Sequence, residues 1–243
     1  DDLMEDPTVG FTSDDLKDVF PAFIDRYPRF GNRTYSIGFM RSIQVMYYNA
    51  DMLKTVGFSK PPESWDDFMK VCAGVSKLPD VVCYEMTPNA FTFATCVFSR
   101  GGELLSKDGK SAAFNQKPGL DTLTFLSDLL SKKYAIVAAK PLQDQSDFAL
   151  GKVAFTFDTT VGLPIYDKAI KSAGKPISWG IALSPRTTKD PVVVLYGPSV
   201  MIMKTTSEKQ QAAFVFLKWM MDKESNAEWS QATGYFPARA STK

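Results

Sequence analysis

Histidine is absent from the 243-residue chain. Its absence excludes every catalytic triad or dyad in which an imidazole acts as the general base. It also excludes every zinc site that has a histidine ligand. The side chains left for binding or chemistry are hydroxyls, carboxylates, amides, cations and aromatic rings.

Cysteine is scarce, since the chain contains only Cys72, Cys83 and Cys96. Their spacings match no zinc-binding or redox motif. If the protein is exported, one pair can form a disulfide, and Cys72 near a predicted helix end with Cys83 in the next predicted strand is the favoured pair. Three buried free thiols explain the sequence equally well. The sequence leaves both alternatives open.

Excess charge and long apolar runs are absent too. Lys and Arg number 28 against 27 Asp and Glu, which gives a net charge of +1. This balance does not indicate the excess of basic residues that binds nucleic acid or an anionic membrane. The longest apolar runs, such as residues 199–203, are far shorter than the roughly 20 residues that span a bilayer. We therefore expect no nucleic-acid partner.

Known catalytic motifs are also missing. The chain has no G-x-S-x-G, Walker A or G-x-G-x-x-G sequence. Ser172-Ala173-Gly174-Lys175 matches Ser-x-x-Lys, but its usual partner motifs are absent and Gly174 falls where a helix should end. We interpret this match as chance. The sequence favours a binding protein over an enzyme, and it predicts no metal site and no cofactor.

The most informative stretch is GKVAFTFDTTVG, residues 151–162. A predicted buried strand ends in Asp158, Thr159 and Thr160, where a helix over 161–171 is predicted to begin. Ligands of α/β sheets bind beyond the carboxyl ends of strands, where free N–H groups and hydroxyls converge. We therefore expect Asp158 and Thr159 to contact a ligand. The alternative is an ordinary strand-to-helix turn in which Thr or Asp caps the helix.

Strands separated by helices along the whole chain predict an α/β fold. The aromatic stretch over residues 35–48 is too long for one ladder and predicts two strands, or one strand that crosses between lobes. A short strand is expected over residues 112–115. Two predicted helices each have an apolar face. The first face consists of Leu123, Leu126 and Leu130, and the second of Ala213, Phe216, Leu217, Met220 and Met221.

Polar and aromatic residues cluster at four points of otherwise apolar segments. The clusters are Phe91 with Asn89 and Thr92; Asp158-Thr159-Thr160; Tyr196-Gly197-Pro198-Ser199; and Tyr235 after Gly234. Aromatic faces for sugar C–H groups, with hydroxyls and a carboxylate for ligand hydroxyls, suit a polyhydroxylated ligand. The alternatives are core packing for Phe91 and a bulge in an edge strand for residues 197–199.

Eight short motifs follow one another along nearly the whole chain. They are Tyr47-Tyr48-Asn49-Ala50-Asp51-Met52-Leu53 with Gly57; Pro61-Pro62-Glu63-Ser64-Trp65-Asp66-Asp67-Phe68; Gly101-Gly102-Glu103-Leu104; Phe114-Asn115; Gly151-Lys152-Val153-Ala154-Phe155; Trp179-Gly180-Ile181-Ala182-Leu183-Ser184-Pro185; Ala212-Ala213-Phe214 to Lys218-Trp219-Met220; and Ala232-Thr233-Gly234-Tyr235-Phe236-Pro237-Ala238-Arg239. Each motif alone is loose, but the order is specific. It resembles the extracellular solute-binding proteins of ABC importers, in the group-one family that binds maltose, other sugars and glycerol-3-phosphate.

The resemblance implies a class II periplasmic-binding-protein-like α/β fold, with two lobes joined by crossing strands and ligand in the cleft between them. The expected lobes are residues 1–43 with 186–224, and residues 44–185 with 225–243. The family's N-terminal βαβ units and last helices have no counterpart here. We therefore expect the chain to correspond to the middle of such a protein, with lobe one incomplete.

The resemblance also implies a set of ligand contacts. Family positions place them at Phe91, Asp158, Thr159, Thr160, Gly197, Ser199, Tyr235 and Arg239. The first hypothesis is a carbohydrate or polyol receptor that delivers its solute to an importer permease, in the periplasm or outside the cell, with or without a lipid anchor. The second is a glycerol-3-phosphate or glycerophosphodiester receptor, whose phosphate would use hydroxyls and Arg239 or Arg41. The third, a cytoplasmic α/β enzyme, is disfavoured by the missing histidine and catalytic motifs.

Overall fold

The structure is a computed structural model that describes residues 4–6, 10–24, 29–30 and 33–242. It divides into two compact units. Unit 1 comprises Asp1–Ser42 and Leu195–Lys243, and unit 2 comprises Ile43–Val194. Both units contain helices and strands, so the predicted α/β class is confirmed.

The elements are numbered here in chain order. They are β1 (Met4–Glu5), α1 (Ser13–Asp18), α2 (Pro21–Ile24), β2 (Arg29–Phe30), β3 (Arg33–Thr34), β4 (Ile37–Gly38), β5 (Ser42–Asn49), α3 (Ala50–Thr55), α4 (Trp65–Val75), β6 (Val82–Met86), α5 (Ala90–Phe98), α6 (Lys117–Ser131), β7 (Ala135–Val137), α7 (Gln143–Ala149), β8 (Val153–Thr159), α8 (Leu163–Ser172), β9 (Trp179–Ala182), β10 (Leu195–Tyr196), β11 (Ser199–Val200), β12 (Ile202–Met203), α9 (Ser207–Met220) and α10 (Lys223–Thr233), with short 3₁₀ helices at Thr160–Gly162 and Ala240–Thr242.

Unit 2 is built on a mixed sheet with the strand order β9-β5-β8-β6-β7. Strand β5 is antiparallel to both β8 and β9, whereas β8, β6 and β7 run parallel to one another. Two apolar cores cover the sheet. The larger packs α4 against the strands through Trp65 and Phe68, and the other packs α7 and α8 through Phe148 and Tyr166.

Unit 1 has a core of its own, which joins residues from both of its chain segments. Phe23 and Ile37 come from the first segment, and Leu217, Met221 and Ala238 from the second. Strand β4 pairs with β11, and β1 with β12, so each of these small antiparallel sheets also joins the two segments. The segments fold together because each supplies half of the apolar surface that the other buries.

The compact units differ from the predicted lobes in two places. Residues 225–243 belong to unit 1, where the Asn226 side chain accepts a hydrogen bond of 2.7 Å from the Ala238 N–H and donates one of 3.4 Å to the Phe39 carbonyl. Residues 186–194 belong to unit 2, where the Arg186 N–H donates to the Glu63 carbonyl at 2.9 Å. Both differences come from contacts between residues far apart in sequence.

The Cys72–Cys83 disulfide is present and ties the end of α4 to β6, with a Cα–Cα distance of 5.0 Å. Cys96 is a buried free thiol. The favoured pairing is therefore confirmed over three free thiols. The predicted division of residues 35–48 into two strands is also confirmed, by β4 and β5.

One local prediction is wrong, and two, the apolar faces of α6 and α9, are partly wrong. Residues 112–115 form no strand, only an isolated bridge between Ala112 and Leu105. Helix α6 buries Gly119, Thr122 and Leu129. Of its predicted leucine face, Leu126 packs partly buried against the larger core, whereas Leu123 stays 55% and Leu130 40% exposed. A Cβ atom at Gly119 would lie 1.7 Å from the Phe114 carbonyl oxygen, so the residues before α6 approach the helix where it has no side chain.

The predicted apolar face of α9 is also partly wrong. Leu217 and Met221 are buried as predicted, but Phe216 is 58% exposed. Apolar residues run consecutively from 212 to 217, so periodicity does not determine which side packs inward. Among the described residues, no helix combines the length and apolarity needed to cross a membrane.

Candidate ligand-binding site

The carboxyl ends of β6 and β8 lie at the same edge of the unit 2 sheet. The two strands are parallel, with Val82 beside Val153 and Tyr84 beside Phe155. Beyond β6, residues 87–89 lead into α5, and beyond β8 the chain enters the 3₁₀ helix Thr160–Gly162. The topology therefore brings Phe91 and the Asp158–Thr160 turn, predicted separately, to one sheet edge.

Gln44 links these two segments. It is 4% exposed on β5 and lies opposite Thr159 in the antiparallel register. Its amide nitrogen donates to the Thr92 hydroxyl at 3.0 Å, and its amide oxygen accepts a hydrogen bond from the Thr95 hydroxyl. The start of α5 is thereby fixed beside the end of β8.

Phe91 lies in the first turn of α5, and 54% of its surface is exposed. The helix begins after Asn89, whose side chain accepts a hydrogen bond of 2.8 Å from the Thr92 N–H. This cap supplies a partner for one of the free amides at the helix start. The exposure excludes the alternative that Phe91 is a core residue.

The Asp158 carboxylate is held by two donors. Gln145 Nε2 of α7 donates to Oδ2 at 2.9 Å, and the Thr159 N–H donates to Oδ1 at 2.6 Å. Burial raises the pKa of Asp158 above its usual value, and both hydrogen bonds oppose that rise. A half-buried carboxylate with remaining acceptor capacity suits ligand hydroxyl groups.

The two threonines after Asp158, Thr159 and Thr160, have different environments. Thr159 precedes the 3₁₀ helix, but its side chain makes no capping hydrogen bond, so the helix-capping alternative lacks its defining contact. Thr160 is 4% exposed, and its hydroxyl has no hydrogen-bond partner among the described residues. Its burial favours a structural role within the turn over direct contact with solute.

In unit 1, Gly197 and Ser199 lie in a loop that Arg41 holds. The Arg41 Nη1 atom donates to the carbonyls of Met40, Gly197 and Pro198 at 2.9, 3.1 and 3.0 Å. Gly197 has a φ of +140°, and a Cβ atom there would lie 2.1 Å from the Met40 oxygen. Glycine is therefore required at this close approach. Ser199 follows in β11, in register with Gly38.

Tyr235 lies next to the same segment. It follows Gly234, which ends α10 with a φ of +76°, and the next residue, Phe236, donates its N–H to the Arg41 carbonyl at 2.7 Å. Tyr235 is half-buried. Gly197, Ser199 and Tyr235 thus all border residues 37–41 within unit 1.

Arg239 has a different environment from the one predicted. It is 8% exposed, and its Nε atom donates to the Met221 carbonyl. Its Nη1 and Nη2 atoms lie 3.4 and 3.3 Å from the carboxylates of Asp18 and Asp15. The guanidinium therefore joins α1 to the end of α9, and this arrangement favours a structural role over ligand binding.

Comparison with known proteins agrees with this architecture. Residues 2–243 match the family model described as bacterial extracellular solute-binding protein. The chain belongs to this family. The match covers nearly the whole sequence and confirms the resemblance of the ordered motifs.

The curated relatives of this solute-binding protein are distant and longer. A binding protein of Brucella abortus (strain 2308) is 23% identical over 248 residues, which cover 96% of this chain and 57% of the relative. A binding protein of Brucella suis biovar 1 matches to the same extent. The chain thus spans 57% of the length of the curated relatives that it matches.

Solved structures show the same fold. The GacH receptor of Streptomyces glaucescens, solved unliganded and with acarbose, has a TM-score of 0.84 at 19% identity, over 99% of this chain and 62% of GacH. Maltose-bound MalE3 of T. maritima has a TM-score of 0.83 at 18% identity, over 99% and 63%. UgpB of Mycobacterium tuberculosis, in complex with glycerophosphocholine, has a TM-score of 0.84 at 21% identity, over 99% and 63%. The fold of this solute-binding protein is the MalE-like, class II periplasmic-binding-protein type.

Two members of the candidate site were missed by sequence reasoning. Gln44 and Gln145 orient Thr92 and Asp158, yet neither belongs to a motif. A signal existed for Gln44, because it is a polar residue within the apolar strand β5. No comparable signal marks Gln145, which lies in the polar helix α7.

A cavity of about 580 Å³ lies elsewhere in the solute-binding protein, on α9 against Val215, Phe216 and Trp219. Within the part of the chain that the structure describes, no three Cys, Asp or Glu side chains are grouped to hold a metal ion. The candidate site in unit 2 therefore consists of an exposed ring, hydroxyls, amides and one carboxylate.

Proposed function

We propose that this chain belongs to a receptor that binds a carbohydrate or polyol outside the cytoplasm and delivers it to the permease of an ABC importer. The observation that carries the proposal is the unit 2 sheet edge, where the exposed ring of Phe91 shares one edge with Thr92, Asp158 and Thr159. An aromatic face can stack on sugar C–H groups, while the carboxylate and hydroxyls bind sugar hydroxyls. The solutes named for GacH and MalE3 are of this class.

The charges of the candidate residues favour a neutral solute. Asp158 would repel a phosphate, and burial in unit 2 strengthens that repulsion because the local dielectric constant is low. Arg239 faces Asp15 and Asp18. Gly197, Ser199 and Tyr235 stay predicted ligand contacts.

A glycerophosphodiester is the second candidate solute. It is favoured by the likeness to UgpB, which was solved with glycerophosphocholine. The hydroxyls of Thr159 and Ser199 can hydrogen-bond a phosphate. This candidate also requires a cation for the phosphate, and Arg41 is the residue predicted for that role.

The test is a thermal-shift and calorimetric screen of the chain against neutral oligosaccharides, polyols, glycerol-3-phosphate and glycerophosphocholine. We expect a neutral sugar to raise the melting temperature. Phe91→Ala should weaken binding of that sugar about fivefold, since loss of a stacking ring is worth about 1 kcal/mol. Phe114→Ala removes another exposed ring of the same unit and is the matched control.

Each other outcome has a distinct meaning. A shift with glycerophosphocholine alone would favour the second candidate. Chemical turnover of any solute would overturn the receptor hypothesis and revive the enzyme hypothesis. A folded chain that responds to none of the solutes would count against the proposed function.

A further inference from the structure

The carboxylates of Asp144 and Asp158 are held between α7 and β8 in unit 2. Asp158 is half-buried at the end of β8, and Asp144 on α7 is 7% exposed. The Thr156 hydroxyl donates to Asp144 Oδ2 at 2.8 Å, and Gln145 Nε2 donates to Asp158 Oδ2 at 2.9 Å. Thr156 and Asp158 are two residues apart on β8, so their side chains leave the strand on the same side, the side of α7. Two negative charges therefore lie near the polar end of one strand.

Within the described ranges, every hydrogen-bond donor to these two carboxylates is neutral. For Asp158 the donors are the Gln145 amide and the Thr159 N–H, and for Asp144 the donor is the Thr156 hydroxyl. Neutral donors stabilise a carboxylate but leave its net charge uncompensated. Burial of an uncompensated charge is costly, so buried charges in proteins are normally paired with an opposite charge or a metal ion.

Two lysines on or beside the neighbouring elements have other partners. Lys152, which precedes β8, pairs with Asp147 at 3.4 Å, and Lys171 of α8 pairs with Asp167 at 2.6 Å. In unit 1, by contrast, the buried guanidinium of Arg239 is paired with two carboxylates of α1. No described lysine or arginine pairs with the two acids at the end of β8 in the same way.

We infer that the solute itself supplies the missing positive charge: among carbohydrates and polyols, the site selects those that carry a protonated amino group. This inference rests on the proposed function and narrows its solute class. A carboxylate has about four acceptor positions, and each oxygen of Asp158 has one described donor. Asp158 can therefore accept hydrogen bonds from an ammonium group. A neutral sugar still binds through its hydroxyls, but more weakly.

The ring of Phe91 supports a cationic solute independently of the acids. Phe91 lies in the first turn of α5, at the same sheet edge as Asp158, and is 54% exposed. An aromatic face attracts an ammonium group through its quadrupole, and the same face packs against sugar C–H groups. The site thus offers the two kinds of group that recognise an organic amine, a ring and a carboxylate.

A metal ion fits the two acids less well than an ammonium group. Calcium takes about six to eight oxygen ligands, and magnesium requires nearly octahedral geometry. In the part of the chain that the structure describes, no three Cys, Asp or Glu side chains are grouped to hold a metal ion. Asp144 is nearly buried, so Asp158 is the acid that a solute can reach. The charge of Asp144 adds to the attraction because the local dielectric constant is low.

The experiment compares pairs of solutes that differ in the charge of one group. The pairs are sorbitol with its 1-amino derivative glucamine, glucose with 2-amino-2-deoxyglucose, and cellobiose with the β-1,4-linked disaccharide of 2-amino-2-deoxyglucose. Calorimetric titration of the whole chain near neutral pH should show at least one amine binding about tenfold more tightly than its neutral partner. The reason is that a half-buried ion pair adds Coulombic attraction to the hydrogen bond. The N-acetyl derivative of the amino sugar has no charge and should bind no more tightly than glucose.

Two variants test whether the preference comes from Asp158. Asp158→Asn keeps the shape of the side chain and should reduce the tenfold preference to less than about twofold. Gln145→Lys places a cation beside Asp158 and should weaken amine binding about tenfold, with little effect on the neutral partner. Asp167→Asn removes an exposed carboxylate that pairs with Lys171 and is the matched control, with an unchanged preference. A ratio of two affinities is insensitive to partial unfolding, because unfolding weakens both solutes equally.

The outcomes separate this inference from the proposed function. Neutral solutes that bind as tightly as their amines would overturn the inference and leave the proposed function intact. A preference for amines that persists in both Asp158→Asn and Gln145→Lys would overturn the role of Asp158. Failure of every amine and every neutral solute to bind the folded chain would count against the proposed function as well.

Discussion

The phenolic O–H of Tyr47 donates a 2.8 Å hydrogen bond to the main-chain carbonyl oxygen of Thr159. Tyr47 is completely buried on β5, and its ring stacks on Tyr166 with a centroid distance of 4.1 Å. Burial raises the pKa of the Tyr47 hydroxyl, so it stays protonated and remains a donor. The turn that carries Asp158 and Thr159 is therefore fixed from within the sheet.

Tyr47→Phe should show how much this contact contributes. The change removes one oxygen and leaves the Thr159 carbonyl without that donor in a buried position. We expect the free energy of unfolding to fall by about 1–2 kcal/mol, measured by urea denaturation. Tyr48→Phe, on the same strand but only partly buried, is the control. Equal losses of unfolding free energy in both variants would show that the hydrogen bond to Thr159 makes no particular contribution to stability.

Asp158→Ala separates ligand binding from turn formation. If the carboxylate binds ligand hydroxyls, affinity should fall at least about tenfold, the equivalent of one charge-assisted hydrogen bond. Stability should change by no more than about 1 kcal/mol, because the carboxylate is half-buried and its removal also relieves desolvation. Calorimetric titration and thermal unfolding measure the two quantities.

The control for Asp158→Ala is Asp167→Ala, which removes an exposed carboxylate of α8 that pairs with Lys171. This control should leave affinity unchanged. Unchanged affinity in Asp158→Ala as well, with a loss of stability of about 1 kcal/mol, would show that Asp158 only stabilises the turn.

The Cys72–Cys83 disulfide should make stability sensitive to reductant. It closes a loop with a sequence separation of 11. On the chain-entropy estimate, a loop of this length contributes about 2.5–3 kcal/mol to the free energy of unfolding. We expect the Cys72→Ser/Cys83→Ser variant to lose that amount and to become insensitive to dithiothreitol.

Cys96→Ala is the matched control, since Cys96 is a free thiol. It should keep the response to dithiothreitol of the wild type. If reductant has no effect on the melting temperature of the wild type, the disulfide prediction fails.

Arg239→Met should destabilise unit 1 without affecting solute binding. The change keeps most of the apolar stem but removes the donors to Met221, Asp15 and Asp18. A nearly buried arginine with charged partners is worth about 2 kcal/mol. Solute affinity, measured at a temperature where the variant is folded, should be unchanged.

Lys218→Met removes a more exposed partner of Asp15, at 3.7 Å, and should cost less than about 1 kcal/mol. A large loss of solute affinity in Arg239→Met, with little loss of stability, would instead support the contact that the resemblance implies.

Local sequence rules predicted local structure well. Ser64, followed by two acidic residues in the first turn, matches the sequence pattern of a helix cap, and its hydroxyl accepts a hydrogen bond from the Asp67 N–H at 3.0 Å. At α1, where the sequence offers both Thr12 and Ser13 as caps, Thr12 forms the capping box with Asp15. Such caps depend on residues within one helical turn, so the sequence contains nearly all the information that they need.

The candidate site was only partly predictable. The carboxyl end of β8 was identified correctly as the end of a buried strand, because the strand and its polar end are adjacent in sequence. Its neighbours were not, because Gln44 reaches Thr92 across 48 residues and depends on the register of β5 and β8. No periodicity in the chain specifies that register.

The sequence by itself determined the α/β class, the family, the absence of imidazole chemistry and the position of the polar turn at residues 158–160. Only the tertiary structure decided that Phe91 is exposed, that Arg239 pairs with carboxylates more than 200 residues away, and that Glu85 is buried. The physical reason is the separation in sequence over which each kind of interaction acts. Backbone preferences and caps act within a few residues, whereas burial and ion pairing depend on which distant elements pack together.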